Sequence, residues 1–198
     1  MKSITAVLLV GTVLAGCAGN GELVKRAESP LRGDVGTVIS PAVPPEKNFA
    51  DLTIRASLKT HLAGAFPMGE DSHGTANYQL LVNMDGQPLK FSGNCVTEDT
   101  SFLSNRNPEA GLGTRCRFNS HVRLKAGSHR IIVALPYDHL ALEREITLED
   151  RTDNTLEVTP TYYPDRRQNG PGKGGSASFK EGISGLELSL NGKIIQVE

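Results

Sequence analysis

The 198-residue chain has no tryptophan, only six phenylalanines and four tyrosines, three cysteines, and a formal net charge of −1. Each scarcity excludes something. Without a basic excess there is no electrostatic footprint for a nucleic-acid partner. So few rings leave no evident stacking platform for sugars or bases. The longest apolar run, residues 4–13, is half the ~20 residues a membrane-spanning helix needs. No G-x-S-x-G or S-x-x-K nucleophile motif occurs. The glycine-rich "RRQNGPGKGGSASFKEG" is no phosphate loop, because Gly174 follows Lys173 where Ser or Thr is required. The acidic stretches "TEDTSFLSNRN" and "LEDRTDN" lack calcium-loop spacing, and no C-x-x-C pair offers a redox or zinc motif.

What is present begins at the amino terminus with "VLLVGTVLAGCAGN". Lys2 supplies a positive flank, and the short apolar run suits the core of a secretory signal peptide. The run ends in Leu14-Ala15-Gly16-Cys17, which resembles the lipobox of bacterial lipoproteins. The resemblance implies a diacylglycerol on the Cys17 thiol, cleavage of the bond before it, and a membrane partner reached through lipid. Ala15 and Gly16 are small enough for a peptidase to approach the backbone. Ala18 stands where the enteric pattern places an inner-membrane-retaining aspartate, so the resemblance implies an outer-membrane location facing the periplasm or the cell surface.

Residues 1–16 are therefore expected to be a lipoprotein signal peptide. Residues 17–50, with "GNGE", "SPLRG" and "SPAVPPEKN", are expected to form a lipidated, flexible tether carrying at most one short strand in "VGTVI". Residues 51–198 suffice for one domain with a real core. With Cys17 taken by lipid, Cys95 and Cys116 remain as an even pair in an oxidising compartment, the setting in which a disulfide forms. Such a bond closes a loop of about twenty residues and contributes on the order of 3 kcal/mol.

The rest of the chain alternates with a period of two. In "DLTIRASLKTHL", Leu52, Ile54, Ala56 and Leu58 share one strand face, with Thr53, Arg55, Ser57 and Lys59 on the other. "YQLLVNMDGQPLKF" turns at Asp85-Gly86, pairing Val82 with Leu89 and Leu80 with Phe91. That turn puts Asn83, Pro88 and Lys90 on the far face, and the proline suits an edge strand. "FNSHVRLKAGSHRIIVALPY" reads as a second hairpin turning at Ala126-Gly127, with Val122 opposite Ile131. "GLELSLNGKIIQVE" turns at Asn191-Gly192. "LEREITLED" and "NTLEVTPTYY" add two strands, and no segment has the period of a long amphipathic helix. The expected fold is an all-β, antiparallel sandwich of seven to nine strands, immunoglobulin-like or transthyretin-like.

Residues 76–160 resemble the PEGA domain pattern through Asp85, Gly86, Leu124, Gly127 and His129. A cysteine-bearing insertion between the first two expected hairpins and Pro136-Tyr137 in place of Gly-Tyr depart from it. The resemblance implies a binding or scaffolding module of the bacterial envelope, with no shared catalytic residues and no cofactor. The chain is thus expected to be a non-catalytic lipoprotein that binds an envelope protein or an anionic polymer. Arg166, Arg167, Lys173 and Lys180, punctuating a glycine-rich loop, are its candidate contacts, together with the Cys95–Cys116 loop. The rival reading is a metal-binding protein or hydrolase using "HLAGAFPMGEDSHG", where His61 and His73 flank Glu70 and Asp71. His121 and His129 fall on opposite faces of the expected hairpin and share no ion.

Overall fold

Burial follows the period-two pattern. In β2 (Phe49–Thr60), Leu52, Ile54, Ala56 and Leu58 are all buried. The next hairpin, β3 (Gln79–Met84) and β4 (Gln87–Ser92), has the expected register, Val82 opposite Leu89 and Leu80 opposite Phe91. Its turn residues Asp85 and Gly86 both take positive φ, 47° and 94°, the geometry a two-residue hairpin loop requires. β4 lies at a sheet edge, where Pro88 leaves no ladder bond unmade.

The protein is described here by a computed structural model covering residues 20–40, 43–65, 72–104, 106–165 and 176–196. The expected signal peptide and lipidation site, residues 1–16 and Cys17, lie outside the described residues. The remaining strands are β1 (Gly36–Val38), β5 (Asn94–Asp99), β6 (Leu112–Lys125), β7 (Gly127–Leu135), β8 (Leu140–Leu148), β9 (Asp153–Tyr162), β10 (Ile183–Leu190) and β11 (Lys193–Ile194). Seven of the eleven strands form one sheet in the order β1-β6-β2-β9-β10-β11, with β5 also paired to β6; the other sheet is β4-β3-β7-β8. The two pack as a sandwich around one large core that includes Leu52, Leu80, Val133 and Leu156. The strand total exceeds nine because short pieces such as β1 and the two-residue β11 join the edges. Pairing is antiparallel except between β2 and β9, which run parallel from Asp51 opposite Asp153 to Ala56 opposite Val158.

Two expectations are corrected. First, β6 and β7 are not a hairpin. β6 pairs with β2, β1 and β5, while β7 pairs with β3 and β8, so the chain changes sheets at Ala126-Gly127. Gly127 turns the corner at φ 134°, a conformation side chains resist. The apolar faces of β6 and β7 line one core from opposite sheets instead of lying side by side. His129 holds the corner: Nδ1 lies 2.7 Å from Asp85 Oδ2, and Nε2 lies 2.7 Å from the Lys125 carbonyl oxygen. Asp85 Oδ1 also accepts the Arg130 amide at 2.7 Å.

Second, the stretch assigned to a flexible tether contains α1 (Asn20–Glu28), which lies on the outer face of the four-stranded sheet. Nine residues are too few for a helix to persist alone. Val24 and Ala27 bury against Leu81, Ile132, Ala134 and Ala141, and burying the valine alone contributes about 1.5 kcal/mol or more. Glu22 in the first turn and Lys25 and Arg26 in the last suit the helix dipole. Pro30 stops the helix one residue beyond Ser29. Arg26 pairs with Glu143 of β8 at 2.8 Å. The short strand expected in "VGTVI" is β1, paired to β6.

Asn83 stands on the far face of β3, as expected. It is buried under α1, where Nδ2 lies 3.1 Å from the Ala27 carbonyl oxygen and Oδ1 accepts the Gly86 amide at 2.8 Å. One amide thus satisfies a helix-end carbonyl and closes the adjacent turn.

Asp85→Ala removes both acceptors from the corner and puts a Cβ-bearing residue without a local hydrogen bond at positive φ; it is expected to cost about 3 kcal/mol in urea unfolding. Asp85→Asn keeps an acceptor and tolerates the backbone, so a loss as large as alanine's would refute the corner role.

Candidate functional site

The most heavily bonded polar cluster surrounds Lys59, which alternation alone places in solvent. The side chain does leave β2 on its outer face, but residues 99–104 and 106–111 fold over that end of the sheet. Lys59 is fully buried, and Nζ donates to Thr100 Oγ1 at 2.6 Å and to the carbonyl oxygens of Gly111 at 2.7 Å and Glu109 at 2.9 Å. Nζ also stands 4.7 Å from the Phe179 ring centre and 3.7 Å from Glu98. Burial pulls its pKa below the ordinary lysine value, against the opposing pull of Glu98. Three acceptors fill the three ammonium hydrogens, so this lysine is a brace and not a nucleophile.

Arg115 works beside it. It bonds Glu98 at 2.7 Å and Glu109 at 2.6 Å, while the Tyr162 hydroxyl donates to the other Glu109 oxygen at 2.9 Å and accepts the Lys59 amide. Burial works against the Glu98 carboxylate, yet Arg115, Lys59 and Arg117 outweigh it and hold its pKa below the usual range. Burial raises the Tyr162 phenol well above its ordinary value. The disulfide expected between Cys95 and Cys116 is present and joins directly opposite residues of β5 and β6, beside this network.

The histidine loop is partly assembled. The His61 and His73 rings meet at a 59° tilt with centres 4.8 Å apart, and His73 Nε2 lies 3.0 Å from Asp138 Oδ1. Tyr78, wholly buried, donates its hydroxyl to Asp138 Oδ2 at 2.7 Å, and burial beside that carboxylate pushes the phenol pKa far up. Glu70 and Asp71 lie outside the described residues. Among the described residues no three His, Cys, Asp or Glu side chains are grouped to hold a metal ion. His121 bonds Thr53 on the large sheet, while His129 serves the corner on the small one.

Of the basic candidates, Arg166, Arg167 and Lys173 lie outside the described residues. Lys180 belongs to a short 3-10 turn, Phe179–Glu181, with Nζ 5.9 Å from the same Phe179 ring that covers Lys59.

The residues that sequence reasoning leaves out form a groove of about 820 Å³ on the outer face of the large sheet. Arg55 and Ser57 of β2, Arg117 and Asn119 of β6 and Glu157 of β9 form its floor, and Asn107, Pro108 and Glu109 form a wall. Their period-two spacing marks them as outward, but nothing in the sequence says that residues 106–111 rise beside them.

No protein-family model matches the chain, and neither a curated protein nor a solved structure does so.

Lys59→Met leaves two carbonyls, a hydroxyl and Glu98 short of a partner, and is expected to cost about 3 kcal/mol in chemical denaturation. A change below a few tenths would show that the brace is dispensable. Glu98 and Glu143 both have pKa values below the ordinary 4.5, so the folded state binds fewer protons than the unfolded one. Their contribution is full above that pH and is lost as pH falls through the depressed folded values. Urea midpoints should fall between pH 6 and pH 3, less steeply in Glu98→Gln; parallel curves for the two proteins would refute the assignment.

Proposed function

We propose that the chain is a non-catalytic, lipid-anchored module of the bacterial envelope, PEGA-like in organisation, whose sandwich binds or braces an envelope partner. Two lines support this reading. The leader carries Leu14-Ala15-Gly16-Cys17, and the polar clusters described above hold loops in place: Lys59 and Arg115 brace residues 99–104 and 106–111, and Asp138 ties Tyr78 to His73.

The observation that carries the reading furthest is the position of α1. It begins three residues after Cys17 and is packed on the small sheet. Three peptide units extend to no more than about 11 Å. An acylated Cys17 therefore keeps the sandwich at the bilayer surface, not on a long leash, and several acyl chains make the attachment firm. Ala18 favours the outer membrane. The partner is then a molecule within reach of that surface.

Mass spectrometry of the amino-terminal peptide from cells is expected to find Cys17 as the first residue, carrying acyl chains. Cys17→Ser is expected to move the protein from the membrane fraction to the soluble fraction. An uncleaved, unmodified terminus would overturn the anchor.

A further inference from the structure

We propose that the groove on the outer face of the seven-stranded sheet binds a carboxylate-bearing peptide segment of a partner protein, with Arg55 and Arg117 gripping the carboxylate. The inference deepens the binding-module reading and rests on it, but not on the lipid anchor.

The two arginines stand diagonally on one sheet face. Arg55 is opposite Asn119, and Arg117 is opposite Ser57. Diagonal neighbours on a sheet are ~7–8 Å apart at the backbone, near enough for two long side chains to converge on one group. Neither is neutralised in the way Arg115 is. Among the described residues Arg55 makes no ion pair, and Arg117 has only Glu98 at 3.5 Å while 57% of its side chain stays exposed. Two guanidinium groups with open donors on a concave surface suit a carboxylate, whose two oxygens match the planar fork.

Other features narrow the ligand class. Glu157 faces Arg55 in register across β9 without an ion pair, and Glu109 lies on the wall. The unpaired Glu157 carboxylate beside Arg55 disfavours a dense polyanion such as a polyphosphate, whereas a peptide can set amide N–H groups against it while its own carboxylate reaches the arginines. Ser57 and Asn119 add hydrogen-bonding groups between the charges. The groove's aromatic side chains, Phe118 and Tyr162, are buried, which leaves no ring for a sugar to stack on. The volume lies within the roughly 300–1,000 Å³ of small-ligand pockets and admits a few residues of chain.

The wall is built in advance. Glu109 is fixed at its carbonyl by Lys59 and at its carboxylate by Arg115 and Tyr162. The ligand therefore meets a formed edge, which lowers the ordering cost of association.

The test is fluorescence anisotropy on the full-length protein in detergent with fluorescein-labelled Gly-Glu-Gly-Glu-Gly. The expected result is saturable binding that weakens by about tenfold or more in Arg55→Gln/Arg117→Gln. A comparable loss is expected for the glutamine version of the peptide, and none for Lys193→Gln on β11. Circular dichroism of the double variant should match the parent, since both side chains are outside the core. No binding up to about 1 mM, or equal binding by the double variant, overturns the proposal. So does tighter binding of tripolyphosphate than of the peptide, which would make the groove a polyanion site. Peptide binding that survives in Cys17→Ser separates this result from the fate of the anchor.

Discussion

Everything in this sandwich depends on how the chain turns from β6 into β7. A hairpin at Ala126-Gly127 would place two strands with apolar faces side by side in one sheet and leave that face to be covered from elsewhere. The crossing puts the faces on opposite sheets, so Phe118, Val122 and Leu124 of β6 and Ile131, Val133 and Leu135 of β7 line the core from its two sides. His129 makes the crossing definite: it bridges the last residue of β6 to the turn of the β3–β4 hairpin. Asp85 shapes that turn, accepts the Arg130 amide and meets the imidazole. A change in either side chain acts on two sheets together.

The period-two rule located almost every long strand, and the Asp-Gly and Asn-Gly pairs fixed two hairpins to the residue. Pairing between sheets was less legible. Alternation reports which face of a strand is apolar, not which neighbour lies beside it, so Val122 and Ile131 read as cross-strand partners although they belong to different sheets of one core. The helix was hidden for a different reason. Its own nine residues carry a weak pattern, and the clue lay in the surface that receives it: "QLLV" and "RIIVAL" are apolar on both faces, as strands covered on both sides must be. Lys59 gave no signal, since its parity is outward and only the fold of residues 99–104 and 106–111 encloses it. The groove residues were legible as outward and polar; their concavity was not.

The polar chemistry on the large sheet divides sharply along its length. Towards the disulfide end, Lys59, Arg115, Glu98, Glu109 and Tyr162 saturate one another, which is the condition under which buried charge is tolerable. A few rungs away Arg55 and Arg117 keep open donors. The saturated cluster shapes the open one, because Glu109 belongs to both: its bonds face Lys59, Arg115 and Tyr162, and its segment forms the rim. Bracing and the proposed recognition occupy adjacent parts of the same face.

The outer margin of β6 is closed by two unrelated pieces of chain, β1 along Val122–Leu124 and β5 along Leu112–Arg117. Such a seam is finished only when a segment from near the amino terminus and a covalently stapled insert have both arrived. Shortening the protein ahead of residue 39 would unzip three rungs and present bare amides and carbonyls to any passing strand. Residues 36–38, far from β6 in sequence, are thus the hem of the fold.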